Sequence, residues 1–551
     1  MSFASTALPA LDLRSLAVLR ASVGLFLLID ALSRLAGAGL LYADIGLLPR
    51  RHLLDLLEPA QWSLYLINGS VPFASLLLLL QALAAAFLMF GRHTRGAALL
   101  SWLLLVSAAA RNPLAVTPAE AYLLALLSWG LLLPWGRRWS LDGPAPVDAP
   151  EAEPVHRSVA AAILGLHVLA LPLLYALRAW LQPGAGATTT ALVLAIAVAI
   201  LLLAALPGLR GWPRRVALVL YMAGALAVAA WGDYGALPWL AAAASLVLLE
   251  PGSWQLLNRR TERRQWRLYV ETPAGPVERR LQYLQEMLAL RAIPVLAADS
   301  SARVLRLIQG GHHLVLIDHD DRAHLDVQAL QLLLQMSPLT WPLRPLRAGA
   351  WAARRLDAWL PQGGATVTST PVPVEPVRSR WLAAILIVIG AASLAAQAST
   401  LRDPGSEPAG ALVAVLAPLA LQHRWLDAGR TPDGDSRWLA VVGEQADGRL
   451  IDAPSLRRDP EGSAPNYGPH QIALAPGLRG RLYAQRLADS RQTGPRLALA
   501  QRLCRRHADQ LVRLRVVQVL SPSAQPQSAV AEQRVLLRHE CIATNRDAGL
   551  P

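Results

Sequence analysis

The 551-residue sequence contains no lysine, so all 52 basic side chains are arginine. Arginine stays protonated at any ordinary pH, and the chain therefore has no ammonium that burial could turn into a neutral general base or a Schiff-base former. Cysteine is nearly absent as well. Only Cys504 and Cys541 occur, which excludes a disulfide-rich scaffold and a cysteine metal site. Charge is scarce at 16%, against 54% hydrophobic residues, a balance outside the usual range for a soluble protein of this size. The N-terminal stretch MSFASTALPALDLRS has no basic region leading into a cleavable apolar core, so the first apolar span is expected to act as an uncleaved signal anchor.

Long apolar runs are abundant. LALLSWGLLL, ALVLAIAVAILLLAAL and WLAAILIVIGAASLAA approach or reach the roughly 20 residues needed to cross a bilayer core of about 30 Å. Candidate spans lie near 14–36, 71–90, 95–110, 120–135, 158–180, 189–206, 215–231, 236–250 and 380–398, and the short ones near 95–135 can be read as crossing or re-entrant. A formal charge of +14 could suggest nucleic acid, but the arginines cluster beside apolar spans, where the positive-inside effect accounts for them, and no nucleic-acid partner is expected. Arg92 and Arg95, Arg137 and Arg138, then Arg210, Arg214 and Arg215 fall on alternate loops. That bias predicts a cytoplasmic N-terminus, a cytoplasmic segment over 251–378 and, with an odd number of spans, a C-terminal region on the far side.

The expected organisation is a first group of spans over 1–142, an acidic Pro-rich linker over 143–157 (GPAPVDAPEAEPV at its centre), and a second group over 158–250. A soluble insert follows over 251–360, a second Pro-rich linker over 361–378, a last span over 379–399 and a C-terminal domain over 400–551. Strand-like pieces WLAVVGE, LVRLRVVQVL and RVLLRHEC, with turns at Asp433-Gly434 and Asp447-Gly448, make that last domain α+β.

Polar groups that a bundle would have to bury are the candidate ligand-binding residues. Asp30 and Arg34 lie within the first span at a cost of a few kcal/mol if they face lipid; four apart on one helix, they can pair with one another or face a ligand. Arg111, Asn112 and Glu120 are expected at a loop between spans, where exposed polar residues need no special reason. His167, inside the fifth span, reads as a hydrogen-bonded packing residue in preference to a proton relay. The stretch GGHHLVLIDHDDRAHLD (310–326) is dense in imidazoles and carboxylates, but Asp318 to Arg322 reads as a hairpin turn and no ligand spacing repeats, so no metal site is assigned.

The first four spans resemble the HTTM family, the membrane domain of the vitamin K-dependent γ-carboxylase and of many bacterial proteins. The resemblance rests on LYADIGLLPR (41–50), LINGS (66–70), GRHTRGAALLSWLLLVSAAARNPL (91–114) and LLSWGLLLPWGRRWSLD (126–142). It implies a bacterial inner-membrane protein and, for the carboxylase itself, quinol oxidation coupled to carbanion formation with a lysine as the base. LLYALRAW (173–180) stands where that lysine would fall, with Arg178 nearest, and a guanidinium cannot be tuned down to accept a proton at neutral pH. Arg178 joins the candidate ligand-binding residues, and no catalytic residue is assigned.

Residues 266–360 resemble the DCC thiol-disulfide oxidoreductase family, in which a strand leads into Asp-x-x-Cys-x-x-Cys and a helix of a thioredoxin-like fold. The supporting pieces are RLYVETPAGPVERRLQYL (267–284) and LVLIDHDDRAHLDVQALQLLLQMSP (314–338). Residue by residue, the leading acid falls on Glu271 and the two cysteines on Ala274 and Val277, so the resemblance implies a redox-inert module. If the C-terminal domain is exported, oxidation of Cys504 and Cys541 is permitted, and the sequence leaves open whether they are bonded.

The fold class expected is thus a polytopic α-helical membrane bundle with a cytoplasmic thioredoxin-like α/β module and a C-terminal α+β periplasmic domain. Three functions remain open: a non-catalytic scaffold or binding protein, a membrane enzyme related to the carboxylase, and a transporter. The missing lysine and cysteines favour the first, with membrane lipid, a quinone or a protein as the partner and no cofactor required.

Overall fold

The computed structural model describes residues 10–142 (except 59), 155–181, 211–254 (except 232–234), parts of 266–358, 380–425 (except 400 and 402–409), 436–454, 477–521 (except 491 and 509) and 532–541. Among the described residues, seven helices of nine residues or more form the first part of the chain: α1 (Leu13–Leu35), α2 (Val71–Phe90), α3 (Thr94–Arg111), α4 (Pro118–Gly130), α5 (Val159–Leu181), α6 (Trp212–Trp231) and α7 (Leu237–Ser245). The expected span at 189–206 lies outside the described residues. Of the described helices, α1, α2 and residues Trp381–Ala398 are long and apolar enough to cross a membrane.

Local signals set where these helices begin and end. Asp12 caps α1, its carboxylate accepting from the Arg14 amide at 2.7 Å. Ser70 caps α2, Pro72 sits in its first turn, and Gly91 ends it at φ 71°, a left-handed conformation that glycine adopts without a Cβ penalty. Thr117 and Glu120 form a reciprocal capping box at the start of α4, each side chain accepting from the other's backbone amide.

Helices α1 and α2 cross closely at Gly24, where a Cβ would lie 2.6 Å from the Met89 backbone nitrogen. Small residues of this kind let apolar helices approach without a hydrophobic driving force between them. Gly24→Ala is therefore expected to cost about 1–3 kcal/mol through overpacking, read as a lower midpoint of thermal unfolding in detergent; Gly165→Ala, where a Cβ meets nothing within 4 Å, is the neutral control. An equal response from both variants would remove the argument.

One end of the bundle collects the Arg92–Arg95 turn and the Arg137–Arg138 loop. The Asp142 carboxylate accepts from the His93 and Thr94 amides at 2.6 and 2.8 Å, tying the Arg92–Arg95 turn to the Arg137–Arg138 loop. Buried Arg20 donates to the carbonyls of Trp135 (2.9 Å), Arg138 (3.2 Å) and Trp139 in that same loop. Trp254 donates to Ser15 at 2.9 Å and meets the edge of Trp139, and Glu250 accepts from Arg214 at 3.2 Å. Arg14 lies over the Trp254 ring. A short antiparallel pair, β1 (Ala10–Asp12) with β2 (Val155–Arg157), joins the starts of α1 and α5 at this end.

A four-stranded sheet follows, built from β3 (Trp266–Val270), β4 (Ala292–Leu296), β5 (Leu314–Ile317) and β6 (Ala323–Leu325) in the order β4-β3-β5-β6. Strands β3 and β4 are parallel, and the other two pairings are antiparallel. Helices α8 (Ala302–Gln309) and α9 (Asp326–Met336) accompany the sheet, with Tyr269, Val304, Ile308 and Val315 in its core. Glu271, Ala274 and Val277 lie outside the described residues.

Helix α10 (Arg380–Ala398) runs beside α5 and parallel to it, since Gly390 abuts Ile163, Ser393 meets His167, and Leu401 packs on Leu174. The chain thus emerges at the bundle end opposite the arginine loops, and after α11 (Gly410–Leu416) it enters the C-terminal domain. There β7 (Ser436–Glu444), β8 (Leu450–Asp452), β9 (Arg513–Ser521) and β10 (Glu532–Glu540) form an antiparallel sheet in the order β10-β9-β7-β8. Helices α12 (Gly477–Asp489) and α13 (Gly494–Arg506) pack on it. One apolar core runs from Leu439, Val516, Leu487 and Leu499 of this domain into Tyr42, Leu47, Tyr65 and Ala115 of the bundle, so the domain is seated on the bundle end.

Candidate functional site

Where the C-terminal domain meets the bundle, four charged side chains come together, Arg34 and Glu120 buried and Asp30 and Arg479 half-buried. Asp30 and Arg34 come from the last turns of α1, Glu120 from the first turn of α4, and Arg479 from the first turn of α12. Arg34 pairs with both Asp30 and Glu120. Arg479 also pairs with both, one guanidinium nitrogen 2.9 Å from Asp30 Oδ1 and the other 2.6 Å from Glu120 Oε1. The remaining oxygens are engaged as well: Asp30 Oδ2 accepts from Arg34, and Glu120 Oε2 accepts from the Thr117 amide at 2.6 Å. Two cations and two anions therefore close on themselves, with every carboxylate oxygen facing a named donor.

Burial alone would disfavour the Arg479 cation, but Glu120 and Asp30 outweigh that cost and hold its guanidinium above the ordinary arginine range. Its Nη1 also donates to the Ala115 carbonyl at 3.2 Å. Two turns along α12, Arg486 donates to the carbonyls of Pro113, Leu114 and Val116 at 3.2, 3.2 and 2.7 Å. The fixed fork of a guanidinium suits this task, because the turn between α3 and α4 leaves several carbonyls without helical partners.

A second group continues the seam. Arg111 is fully buried at the end of α3; its Nη1 donates to the Leu48 carbonyl at 2.7 Å, and its Nη2 lies 3.5 Å from Asp44. Asn112 donates to the Leu41 carbonyl at 2.9 Å. Arg50 pairs with Asp44 at 2.7 Å and reaches the Leu66 carbonyl at 2.9 Å, while Tyr483 of α12 donates to the Leu47 carbonyl at 3.2 Å. Arg111, Asn112 and Glu120 were expected on an exposed loop, and here the structure corrects the sequence reading: they are 0, 1 and 3% exposed, because the C-terminal domain covers the loop.

The structure places five of the candidate residues, Asp30, Arg34, Arg111, Asn112 and Glu120, on this seam. Arg178 sits in the last turn of α5, and the cation that bridges Asp30 and Glu120 is Arg479. Sequence reasoning missed Arg479, Arg486, Asp44 and Arg50. Two local signals were available: Thr117-Pro-Ala-Glu120 spells a capping box, and the arginines at 479 and 486 are spaced by two helical turns and so share a face.

His167 is buried, with Nδ1 2.9 Å from the Ile163 carbonyl and Nε2 3.3 Å from Ser393 Oγ, beside the rings of Trp129 and Trp425. In the smaller sheet His312 pairs with Asp326 at 2.7 Å. No group of three or more candidate metal ligands occurs among the described residues; His313 and Asp318 to Asp321 lie outside them. Cys504 at the end of α13 and Cys541 beyond β10 are joined by a disulfide, with 5.3 Å between their Cα atoms.

Comparisons with family models, with curated proteins and with solved structures return no match for this chain.

Proposed function

We propose that this protein is a non-catalytic membrane scaffold, multi-pass in a bacterial inner membrane, that carries a folded domain on each face and holds the C-terminal one in fixed register on the bundle. The end that carries the Arg92–Arg95 and Arg137–Arg138 loops is read as cytoplasmic by the positive-inside rule, and the parallel course of α5 and α10 then supports a periplasmic C-terminal domain. The strand order of the β3–β6 sheet, a parallel pair β4-β3 at one edge joined antiparallel to the β5-β6 hairpin, supports a thioredoxin-like module on the cytoplasmic side.

The observation that carries the scaffold reading is the closed quartet. General-base catalysis needs a carboxylate with a lone pair aimed at substrate, and every oxygen of both carboxylates here faces Arg34, the Thr117 amide or Arg479, the last of which also anchors the C-terminal domain. Membrane lipid is then the standing small-molecule partner. The test is mass spectrometry of small molecules that copurify in mild detergent with the wild type and with Arg178→Ala. Bulk phospholipid alone in both is the expected result; a stoichiometric quinone lost in the variant would overturn the scaffold reading in favour of a quinol-linked enzyme.

A further inference from the structure

At the same bundle end, beside the quartet, the loop between α1 and α2 presents an apolar surface next to a cluster of cations. Ile45, Leu54 and Ile67 are 64, 62 and 71% exposed. On the two helices that the loop joins, Ile29, Leu32 and Leu76 are also more than half exposed. Helix α13 lies directly against this loop: Arg502 donates to the Ile45 carbonyl, Arg51 to Gln501, and Gln492 to the Asp55 carbonyl. Arg505 and Arg506 follow Arg502 at helical spacings of three and four, so the three share a face, and the latter two are exposed.

Positive charge is in surplus there. Against Arg51, Arg502, Arg505 and Arg506 the described part of the loop sets Asp55 and Glu58, while Asp44 is already held by Arg50 and Arg111. Partial burial and then its helix neighbours Arg506 and Arg505 lower the Arg502 pKa, and burial and then the adjacent Arg51 lower that of His52, so like charges crowd on each wall of the seam. Exposed apolar side chains in the loop between two membrane-length helices, bordered by arginines, match the two halves of a phospholipid: acyl chain and phosphate.

We infer that the seam between the Arg50–Leu53 loop helix and α13 is a binding site for an anionic phospholipid of the periplasmic leaflet, with Ile45, Leu54 and Ile67 against the acyl chains and Arg51, Arg505 and Arg506 on the phosphate headgroup. The site rests on the membrane orientation proposed above and deepens it by naming the lipid class and its residues. It also gives the C-terminal domain a second hold on the bilayer, independent of the quartet.

The experiment is titration of the purified full-length protein with phosphatidylglycerol and with phosphatidylcholine, bound lipids being counted by native mass spectrometry. Each arginine near an anionic surface contributes about fivefold, so Arg505→Gln with Arg506→Gln is expected to weaken phosphatidylglycerol binding roughly 25-fold and leave phosphatidylcholine unchanged. Arg51→Gln, on the opposite wall, is expected to give about fivefold. Retention of the Cys504–Cys541 disulfide and a wild-type melting curve show that each variant is folded. Folded variants with wild-type phosphatidylglycerol affinity overturn the site alone. Release of the wild-type protein from membranes by alkaline carbonate overturns the membrane reading beneath it.

Discussion

Replacing Arg479 with methionine is expected to destabilise the protein by about 3–5 kcal/mol, the cost of stranding a buried charge whose partner has been removed. Asp30 and Glu120 would be left sharing Arg34 alone, two carboxylates against one guanidinium, with the Glu120 side chain 4% exposed and that of Asp30 16%. Neutralising one carboxylate should restore the balance. Arg479→Met combined with Glu120→Gln is therefore expected to be more stable than the sum of the single losses predicts, with a coupling of about 1–3 kcal/mol in a double-mutant cycle. Arg479→Lys should fall between, since an ammonium on a flexible stem cannot bridge Asp30, Glu120 and the Ala115 carbonyl together. Thermal unfolding in detergent reads the energies, and limited proteolysis reads release of the C-terminal domain. Strictly additive losses would show that the four groups do not act as a unit.

Reduction of Cys504–Cys541 is expected to cost the C-terminal domain about 3–4 kcal/mol, the value for closing a loop of this length in the unfolded chain. The bond spans 37 residues and ties the end of α13 to the end of β10, where the Cys541 amide also donates to the Val512 carbonyl at 2.8 Å. Cys504→Ser with Cys541→Ser should therefore lower the melting point of the domain while the apolar helices, which share no covalent link with the bond, keep their helical circular dichroism to higher temperature. A melting curve unmoved by complete reduction, verified by thiol labelling, would count against the bond as a stabiliser.

How far the sequence could be read depends on the range of the interaction. The membrane-length helices α1, α2 and α10 show in the apolar runs, and their ends follow from short signals such as Asp12, Ser70 and Gly91. Asp30 and Arg34 are four apart and display their pairing within a single helix. Their other partner does not. Arg479 is 449 residues from Asp30 in a helix, GLRGRLYAQRLAD, whose composition suits an ordinary amphipathic surface, and nothing local distinguishes it from Arg481. The same distance explains Arg111, Asn112 and Glu120: a loop between apolar helices looks solvent-exposed until the domain that covers it is known. Tertiary docking, not propensity, decides their burial.

The quartet also sets a timetable for biosynthesis. Glu120 leaves the ribosome 359 residues before Arg479, an interval of roughly 20–70 s at about 5–20 residues per second. Through that interval Asp30 and Glu120 have only Arg34 to oppose them, so the quartet is one positive charge short at the end where the last domain will arrive. Assembly cannot be completed helix by helix from the N-terminus. The helices inserted first must wait in an unfinished state for a cation delivered by the final quarter of the chain, and a ribosome that stalls or a transcript truncated before residue 479 would leave a bundle marked for quality control by that one missing charge.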